Sequence, residues 1–429
     1  MNRRSFLSMG AAAGATLWLP RAFGAQLAQA ASASAAEVAQ AAAALGSTTN
    51  RGYDNLLILV ELKGGNDGLN TVIPFADPTY YQLRKNIGIK RDHAIQLDER
   101  TALHPSLQPL MPLWHSRQLA IVQGVSYAQP NLSHFRSIEI WDTASRSDQY
   151  LREGWLTRAF ARTPVPAGFA ADGLVIGSAE MGPLANGARA IALVNRAQFV
   201  KAARLATPVS LHERNPELAH ILDVENDIVK AADRPRPTQG EAQFKTVFSG
   251  GAFGNSIKTA MQLLAASDAP KRVLLGNTPQ RQSKSGQGVA VIRLTLNGFD
   301  THQNQPGQQT ALLKQLAEGF VSMKSALIEL GRWDQTLVMT YAEFGRRPRE
   351  NQSNGTDHGT VAPHFVMGGR VLGGLYGVPP VLARLDGNGN LPVGVDFQQL
   401  YATVLGPWWG LDASTILQQR FEPLPLLRV

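Results

Sequence analysis

The sequence contains no cysteine. This absence excludes disulfide bonds, thiolate metal ligands, iron–sulfur clusters and a cysteine nucleophile together. Charged residues are also scarce, at 17% of the chain, and no Lys/Arg cluster interleaved with aromatic residues stands out. The formal net charge of +8 therefore does not predict a nucleic acid partner. With 429 residues, of which 44% are hydrophobic, the chain has ample material for a large core.

The N-terminus has the features of an export signal. Residues 1–25, MNRRSFLSMGAAAGATLWLPRAFGA, contain an arginine pair, a weakly apolar Ala/Gly-rich stretch and small residues that suit a signal peptidase. This pattern resembles a twin-arginine signal, so we expect the twin-arginine translocase to export the folded protein to the periplasm or beyond. The apolar run is too short and too rich in glycine for a stable membrane span. Residues 26–50 are rich in alanine and predict a linker.

Short apolar runs alternate with helical patterns through residues 51–429, which predicts a single α/β domain with a mostly parallel sheet. The predicted strands are YDNLLILVEL (53–62), LAIVQGVSY (119–127), GVAVIRLTLNGFD (288–300), TLVMTYAEF (336–344) and HFVMGG (364–369). The predicted helices cover 103–118, 131–144, 308–332 and 395–411. The middle, about 165–285, contains the apolar run GLVIGSA and helical patterns at 210–232 and 241–266, and we interpret it as an inserted, cap-like segment.

Polar residues that could act in catalysis or bind a metal follow four of the predicted strands. Because ligands bind beyond the carboxyl ends of strands in open parallel sheets, we expect these residues to meet at one edge. Scattered acids and histidines would rarely gather there by chance. The residues are Asp67, Ser133, His134, Asp300, His302, Glu343, Arg346, Arg347, Asp357 and His358.

Acids and histidines gathered at one edge predict a metal site. Carboxylate oxygens and neutral imidazole nitrogens are ligands for divalent metals, and a pair of such ions can hold both oxygens of a phosphoryl or sulfuryl transfer. Ser133 lies at a predicted helix start, where the positive end of the helix favours an anion and a metal could activate the hydroxyl. Ser137, one turn further on, is the rival nucleophile.

Each of these positions also has an ordinary structural interpretation. Asp67 could shape a turn, Ser133 could be a helix cap, and Asp300 with His302 could close a strand-ending turn by side-chain hydrogen bonds. Glu343 and Arg346 could form an ion pair, and Asp357-His358 could belong to a polar turn. The remaining histidines are expected at the surface (His93, His115, His212 and His220) or are left undecided (His104 and His364).

Several motifs together resemble one known family. They are GGNDGLNTVIP, HPSLQPLMPLW, SHFRS, GWLTR, GFDTHQNQ, EFGRRPRENQSNGTDHG and GGLYG. The combination resembles the bacterial domain-of-unknown-function family 1501, whose members often begin with a twin-arginine signal and which is placed in the alkaline phosphatase/sulfatase clan. The resemblance extends over about residues 53–410 and is weakest in the middle. It implies a doubly wound α/β fold of alkaline phosphatase/sulfatase type.

The clan also implies roles for residues of this sequence. By that resemblance Asp67 matches the metal-binding acid after the first strand and Ser133 matches the nucleophile at a helix start. The late metal ligands that the resemblance implies are Asp300, His302, Asp357 and His358.

Two departures from the clan pattern leave the ligand assignment and the number of metals open. Clan enzymes commonly space the first late pair four residues apart, whereas Asp300 and His302 are two apart. The second Asp-His pair usually follows its strand directly. Here Asp357 comes fourteen residues after Glu343, which ends the predicted strand.

These observations predict an exported, metal-dependent hydrolase of phosphate or sulfate esters, or of related anionic groups, on a small or polymeric substrate. Ser133 and Arg346 are the predicted catalytic residues, and Arg347 and His134 the substrate-binding ones. The predicted metal ligands are Asp67, Asp300, His302, Glu343, Asp357 and His358, and the sequence does not distinguish among zinc, manganese and calcium. The alternative is a non-catalytic envelope binding or assembly protein with the same fold. A redox protein is disfavoured, since no GxGxxG follows the first strand.

Overall fold

A large mixed sheet is the centre of the chain in the computed structural model, which describes residues 52–169, 171–194, 244–267, 272–275, 278–281 and 288–428. Contacts divide the chain into Met1–Asn50 and Arg51–Val429, and all described residues lie in the second unit. Its strands are β1 Leu56–Lys63, β2 Val72–Ile73, β3 Ile95–Gln96, β4 Ala102–Leu103, β5 Leu119–Ser126, β6 Ala171–Ile176, β7 Ala190–Leu193, β8 Arg272–Leu275, β9 Thr278–Arg281, β10 Val289–Asn297, β11 Thr336–Tyr341, β12 Gly345–Glu350, β13 Thr356–Gly359, β14 Ala362–Met367, β15 Gly374–Gly377 and β16 Val395–Asp396.

Helices cover both faces of this sheet. The α-helices are α1 Gly68–Thr71, α2 Pro78–Leu83, α3 Met111–His115, α4 His134–Thr143, α5 Trp155–Arg162, α6 Gly251–Ser267, α7 Gln305–Glu329, α8 Phe397–Thr403 and α9 Ala413–Leu417. Among the helices in the described ranges, none is both long and apolar enough to cross a membrane.

The nine-stranded sheet has the order β15-β5-β14-β11-β1-β10-β6-β7, with β16 also paired to β5. β1 pairs in parallel with both β10 and β11, and β6 continues the parallel series between β10 and β7. β14 is antiparallel to both of its neighbours, β11 and β5. The prediction of an α/β fold with a mostly parallel sheet is confirmed.

The apolar run of β1 explains why the sheet is covered on both sides. Successive side chains of a strand point to opposite faces, so a continuous apolar run must be buried on both. Ile58 and Val60 join one core cluster, which contains the apolar residues of α6 and α7. Leu57 and Leu59 join the other, which contains those of α4, α5 and α8. The sheet is therefore doubly wound, as expected.

The strand register brings the ends of β1, β10 and β11 to the same edge of the sheet. Lys63 at the end of β1 lies opposite Asn297 at the end of β10, and Glu61 lies opposite Tyr341 at the end of β11. β5 runs in the same direction, because two antiparallel pairings through β14 separate it from β11. The loops that follow these four strands therefore leave the sheet on one side, where the predicted site residues are.

Most predicted elements are confirmed, and the exceptions have local causes. The predicted helix at 103–118 is a 3-10 helix, Pro105–Leu110, followed by the short α3, because its prolines remove helical hydrogen-bond donors. The predicted terminal helix at 395–411 changes at residue 404 into a π-helical turn, Val404–Trp408, which contains Pro407. The predicted helix at 241–266 begins only at Gly251, whose φ of +84° suits glycine.

The described parts of the middle segment differ from the inserted cap that we expected. β6 and β7 belong to the central sheet, and α6 contributes Phe253, Ile257 and Met261 to its core. Residues 173–176 of the apolar run therefore belong to a buried sheet strand rather than to a cover, and 177–179 follow that strand. The predicted helix at 210–232, like the export signal and the linker at 1–50, lies outside the described residues.

Candidate metal centre

Close backbone contacts hold the strand-end loops together at the edge of the sheet. Gly64, directly after β1, has a φ of +115°, and a side chain there would lie 2.3 Å from the Asp300 backbone nitrogen. Gly355, in the β12–β13 turn, would place a Cβ 2.2 Å from the His302 backbone. Glycine at both positions lets the loops after β1, β10 and β12 approach one another.

Asp300 is the centre of the polar cluster at this edge. Three imidazole nitrogens surround its carboxylate: His302 Nε2 lies 3.0 Å and His358 Nε2 3.3 Å from Oδ1, and His134 Nε2 lies 3.4 Å from Oδ2. The Arg346 guanidinium donates to Oδ1 at 2.6 Å. The loops after β10, β5 and β12 thus bring together three histidines that are distant in sequence. We call Asp300, His134, His302 and His358 the Asp300 cluster.

In two of the three histidines the outer ring nitrogen binds an acceptor that orients the ring. His358 Nδ1 donates to the Leu132 carbonyl at 2.8 Å, and His134 Nδ1 donates to Glu343 Oε1 at 2.8 Å. A carbonyl can only accept, so neutral His358 carries its hydrogen on Nδ1 and directs the Nε2 lone pair into the cluster. Metal-bound histidines in proteins have the same arrangement, in which the outer nitrogen donates to a carbonyl or carboxylate.

The donor set fits a divalent cation. His134, Asp300 and His358 each offer one ligand atom, and these atoms lie within 4.8 Å of one another. His358 Nε2 also lies 3.0 Å from His302 Nε2, so lone pairs and a carboxylate crowd one small volume. A cation stabilises such a group of acceptors, and a mixed imidazole and carboxylate set suits zinc or manganese. The buried Glu343 Oε2 has no hydrogen-bond partner among the described residues.

The charges of the cluster follow from its contacts. Burial acts to raise the pKa of Asp300, but the hydrogen bond and charge of Arg346 outweigh it and lower that pKa to about 2. The hydrogen bond to Glu343 raises the pKa of His134, which lies between two carboxylates. Burial lowers the pKa of His358. The centre therefore offers an ionised carboxylate and a neutral imidazole at neutral pH, which are the forms that bind metal.

Arg346 is buried and all of its donor groups have acceptors. Besides Asp300, its guanidinium donates to the backbone oxygens of Gly64, Gly65, Phe299 and Thr356. Its Nη1 also lies 3.4 Å from His302 Nε2. A guanidinium with every donor committed orients Asp300 and ties the loops together. It has no free N–H group for a substrate anion, although Arg346 was predicted as a catalytic residue.

Asp67 lies in a buried ion pair rather than in the Asp300 cluster. Its Oδ2 accepts from Arg84 at 2.5 Å, and Gln305 donates to the same oxygen. Its Oδ1 accepts from the Leu69 backbone as the cap of α1. Both side chains of the ion pair are fully buried. Protein donors occupy both oxygens, so the acid that the clan resemblance made a metal ligand has a structural environment here.

The two candidate serines differ in exposure. Ser133 is exposed at the N-cap of α4, and its hydroxyl does not form the cap hydrogen bond. Its chain neighbours Leu132 and His134 both contact the cluster. Ser137 is fully buried, its hydroxyl lies 2.7 Å from the Tyr127 hydroxyl, and it donates to the Glu343 carbonyl. Ser133 is thus the serine that is free to react.

The other predicted residues lie at the margin of the cluster. Asp357 is 55% exposed, with Oδ1 3.9 Å from His302 Nδ1. Glu343 contacts one member of the cluster, His134. Arg347 follows Arg346 along β12, where alternate side chains point to opposite faces, and its carbonyl accepts from Arg84 at 3.0 Å. Their predicted roles as ligands or as an anion-binding group stay predictions.

Sequence reasoning assigned one member of the cluster a different role. His134 was predicted to bind substrate, yet its Nε2 belongs to the group that could hold a metal. The sequence signal for a role in metal binding was its position after β5, at the same edge as the other strand ends. The Leu132 carbonyl that orients His358 carries no signal in the sequence, because every residue has a carbonyl.

Comparisons with known proteins support the family resemblance. The sequence profile of the family described as "Protein of unknown function (DUF1501)" matches residues 54–420. No curated protein matches the sequence.

Solved structures share only a distant likeness with the chain. A protein in the alkaline phosphatase superfamily from Vibrio parahaemolyticus has 9% identity and a TM-score of 0.40 over 85% of this chain and 69% of that one. The lipoteichoic acid synthase LtaP from Listeria monocytogenes has 10% identity and a TM-score of 0.36 over 85% and 74% of the two chains. A phosphonate monoester hydrolase from Silicibacter pomeroyi has 11% identity and a TM-score of 0.37 over 85% and 75%. With similarity at this level, the chemistry must be argued from this chain's own residues.

Proposed function

Because the chain belongs to the DUF1501 family of proteins of unknown function, we propose an activity from its own site: metal-dependent hydrolysis of phosphate or sulfate esters, or of related anionic groups, after export. One observation carries the proposal. Three imidazole Nε2 atoms converge on the Asp300 carboxylate, and acceptors outside the cluster bind the outer nitrogens of two of them. Protein metal sites are built in this way.

The proposed ligands are Asp300, His134 and His358, with His302 adjacent to them. Asp67 is left out because Arg84 and Gln305 occupy its carboxylate oxygens. Two imidazoles with one carboxylate favour zinc or manganese over calcium, which prefers a shell of oxygen ligands. A bound divalent ion would supply a Lewis acid that polarises the ester and stabilises negative charge.

Ser133 is the proposed nucleophile. Its hydroxyl is exposed, does not cap α4, and belongs to the residue between Leu132 and His134, which both contact the cluster. The N-terminus of this ten-residue helix favours an anionic group beside it. Arg346 acts by holding Asp300 in place, and Glu343 acts by fixing the tautomer of His134.

The export part of the proposal depends on residues 1–25 alone. The arginine pair followed by a weakly apolar stretch predicts transfer of the folded protein by the twin-arginine translocase. A protein that folds before export can acquire its metal before it leaves the cytoplasm. We propose a periplasmic or otherwise exported location and an anionic substrate, small or polymeric.

Metal analysis and a substrate screen test the proposal. We expect protein purified without chelator to contain zinc or manganese, and to hydrolyse at least one ester in a panel of phosphate and sulfate mono- and diesters. EDTA should abolish this turnover, and Ser133→Ala should reduce it about 100-fold or more. Ser147→Ala, which removes a hydroxyl on the loop after α4, is the matched control and should retain activity. Less than about 0.2 metal ion per chain, with no binding on titration, would contradict the proposal.

A non-catalytic envelope binding protein is the second candidate. The observation that favours it is the saturated guanidinium of Arg346, which has no free N–H group for a substrate anion. The screen separates the two candidates. Metal binding without turnover of any ester would support the binding protein, whereas turnover that disappears with EDTA and in Ser133→Ala would exclude it.

A further inference from the structure

A second concave site has Arg346 in its wall but is lined by none of the cluster histidines. It is a cavity of about 200 Å³ between the start of α1, the middle of β5, the start of β14 and the segments 378–381 and 391–392. Apolar side chains form most of its wall, including Leu69, Val361, Val378 and Leu391. None of the histidines or acids of the metal centre lines it. We call it the proline-walled cavity, because four prolines line it.

The walls of this cavity are rigid. Four prolines with fixed φ angles line it: Pro363, Pro379, Pro380 and Pro392. Backbone hydrogen bonds tie the wall segments to β5, from Val378 to the Gln123 carbonyl at 3.2 Å and from Gly394 to the Gly124 carbonyl at 2.9 Å. The Thr360 hydroxyl donates to the Leu391 carbonyl at 2.6 Å. A wall held in this way keeps its shape without a ligand and loses little conformational entropy on binding.

The rim of the cavity exposes apolar side chains. Val378 and Val381 line it and are 47% and 44% exposed, and Val393, beside the lining residue Pro392, is 39% exposed. Three exposed apolar side chains at one opening form a local patch. A concave apolar patch of this kind favours an apolar ligand.

Two polar groups in the cavity lack protein partners. Gln123 is 6% exposed, and its side-chain amide forms no hydrogen bond within the described part of the chain. The exposed Arg384 guanidinium has no ion pair or hydrogen bond to any residue that the structure describes. Arg346 also lines the cavity, but its charge is already paired with Asp300. The cavity therefore offers one uncompensated positive charge and one buried amide.

We propose that the proline-walled cavity binds a small monocarboxylate with an aryl or branched alkyl body. The apolar body fills the space between the prolines and valines, the carboxylate pairs with Arg384, and the Gln123 amide supplies a further hydrogen bond. Charge-assisted bonds between a guanidinium and a carboxylate are the strongest that such a site can form. A cavity of 150 Å³ holds a benzene ring, so about 200 Å³ accommodates a ring with a short side chain.

Calorimetric titration of the full chain in EDTA tests this proposal without involving the metal centre. The probes are 3-phenylpropionate and its uncharged isostere 3-phenylpropanamide. We expect saturable binding of the carboxylate and about tenfold weaker binding of the amide, because the amide cannot form the ion pair. Arg384→Gln should remove the difference between the probes, whereas Arg349→Gln, at an exposed arginine outside the cavity, should preserve it.

A space-filling variant locates the binding. Val378→Trp, at a half-exposed position of the wall, should abolish binding of both probes while the melting temperature stays close to that of the wild type. If Val378→Trp does not fold, the comparison of Arg384→Gln with Arg349→Gln decides alone. The proposal is overturned if neither probe binds, if the two probes bind equally to the wild type, or if Arg384→Gln changes the affinity for 3-phenylpropionate less than about twofold. The result does not depend on whether the metal centre hydrolyses esters.

Discussion

Asp67 and Asp300 follow neighbouring parallel strands, yet they have opposite environments. Asp67 comes after β1, is fully buried, and has protein donors on both oxygens. Asp300 comes after β10, and its side chain is 48% exposed. Apart from Arg346, the groups around Asp300 are imidazoles, whose outer ring nitrogens can bind acceptors outside the cluster. Because β1 and β10 are paired in parallel, the two acids lie at the same edge of the sheet.

The difference shows what a strand-end position does and does not determine. The sheet brings an acid to the edge, but the side chains supplied by other elements decide whether it remains free. For Asp67 those elements are α2 and α7, which supply a guanidinium and an amide. For Asp300 they are the loop before α4 and the β12–β13 hairpin, which supply histidines. Loss of an acid that is satisfied by buried donors leaves an unpaired buried charge, whereas an acid that faces lone pairs is available to a cation.

The largest expected effect separates the two acids in the metal-free protein. Asp67→Asn removes the charge that compensates the buried Arg84, so we expect the free energy of unfolding to fall by about 3–5 kcal/mol. Asp300→Asn makes the same chemical change at a half-exposed position, where Arg346 keeps its four backbone acceptors. It leaves the buried Arg346 without its carboxylate, but solvent reaches Asp300, so the loss should be smaller than for Asp67→Asn, at about 1–2 kcal/mol. Urea denaturation in EDTA measures both values, and equal losses would show that the two environments do not differ as described.

A second prediction concerns the response to metal. With free zinc or manganese at a hundred times its dissociation constant, binding to the folded state should stabilise the wild type by about 2.7 kcal/mol. His358→Ala and Asp300→Asn should lose most of this gain because each removes a ligand. His93→Ala, at an exposed histidine outside the cluster, should keep it. The measurement is a thermal melt of each variant with EDTA and with metal, and equal shifts for His358→Ala and His93→Ala would show that His358 is not a ligand.

The sequence predicted where the site residues gather, because apolar runs mark strands and strand ends share an edge. Asp300, His302 and His358 meet as expected. The environment of Asp67 was beyond sequence reasoning, since its partners Arg84 and Gln305 lie 17 and 238 residues away and no sequence pattern links them to it. Polar residues that meet only in the folded chain produce no periodic pattern in the sequence.

Strand direction was also beyond the apolar pattern. The run that forms β14 is buried and apolar whether it pairs in parallel or antiparallel. The chain between Tyr341, at the end of β11, and Ala362, at the start of β14, forms the β12–β13 hairpin and contains no helix. A parallel strand would require a crossover that returns the chain to the other end of the sheet, and this connection has none. The segment therefore enters the sheet antiparallel to both β11 and β5.

The smallest expected effect extends the comparison to histidines. His364 on β14 is 1% exposed, unlike the half-exposed histidines of the cluster, and its Nε2 has no hydrogen-bond partner among the described residues. Its only polar contact there is Nδ1 to the Thr340 hydroxyl at 3.3 Å. Burial lowers the pKa of His364 to about 3. The folded protein thus holds this imidazole neutral, with no group arranged to receive its charge.

The pH dependence of stability follows from that shift. The unfolded chain protonates His364 near pH 6.5, whereas the folded chain does not until about pH 3, so the unfolded state binds more protons between these values. The contribution of this residue to the free energy of unfolding is complete above pH 6.5, and it is lost as the pH falls from 6.5 to about 3. At pH 5 the loss from this residue should be about 2 kcal/mol. His364→Gln should reduce the fall in the free energy of unfolding between pH 8 and pH 5 by that amount, and His93→Gln should leave the fall unchanged. Urea denaturation at the two pH values in EDTA gives the result, and an unaltered fall in His364→Gln would mean that this buried histidine does not resist protonation as its environment requires.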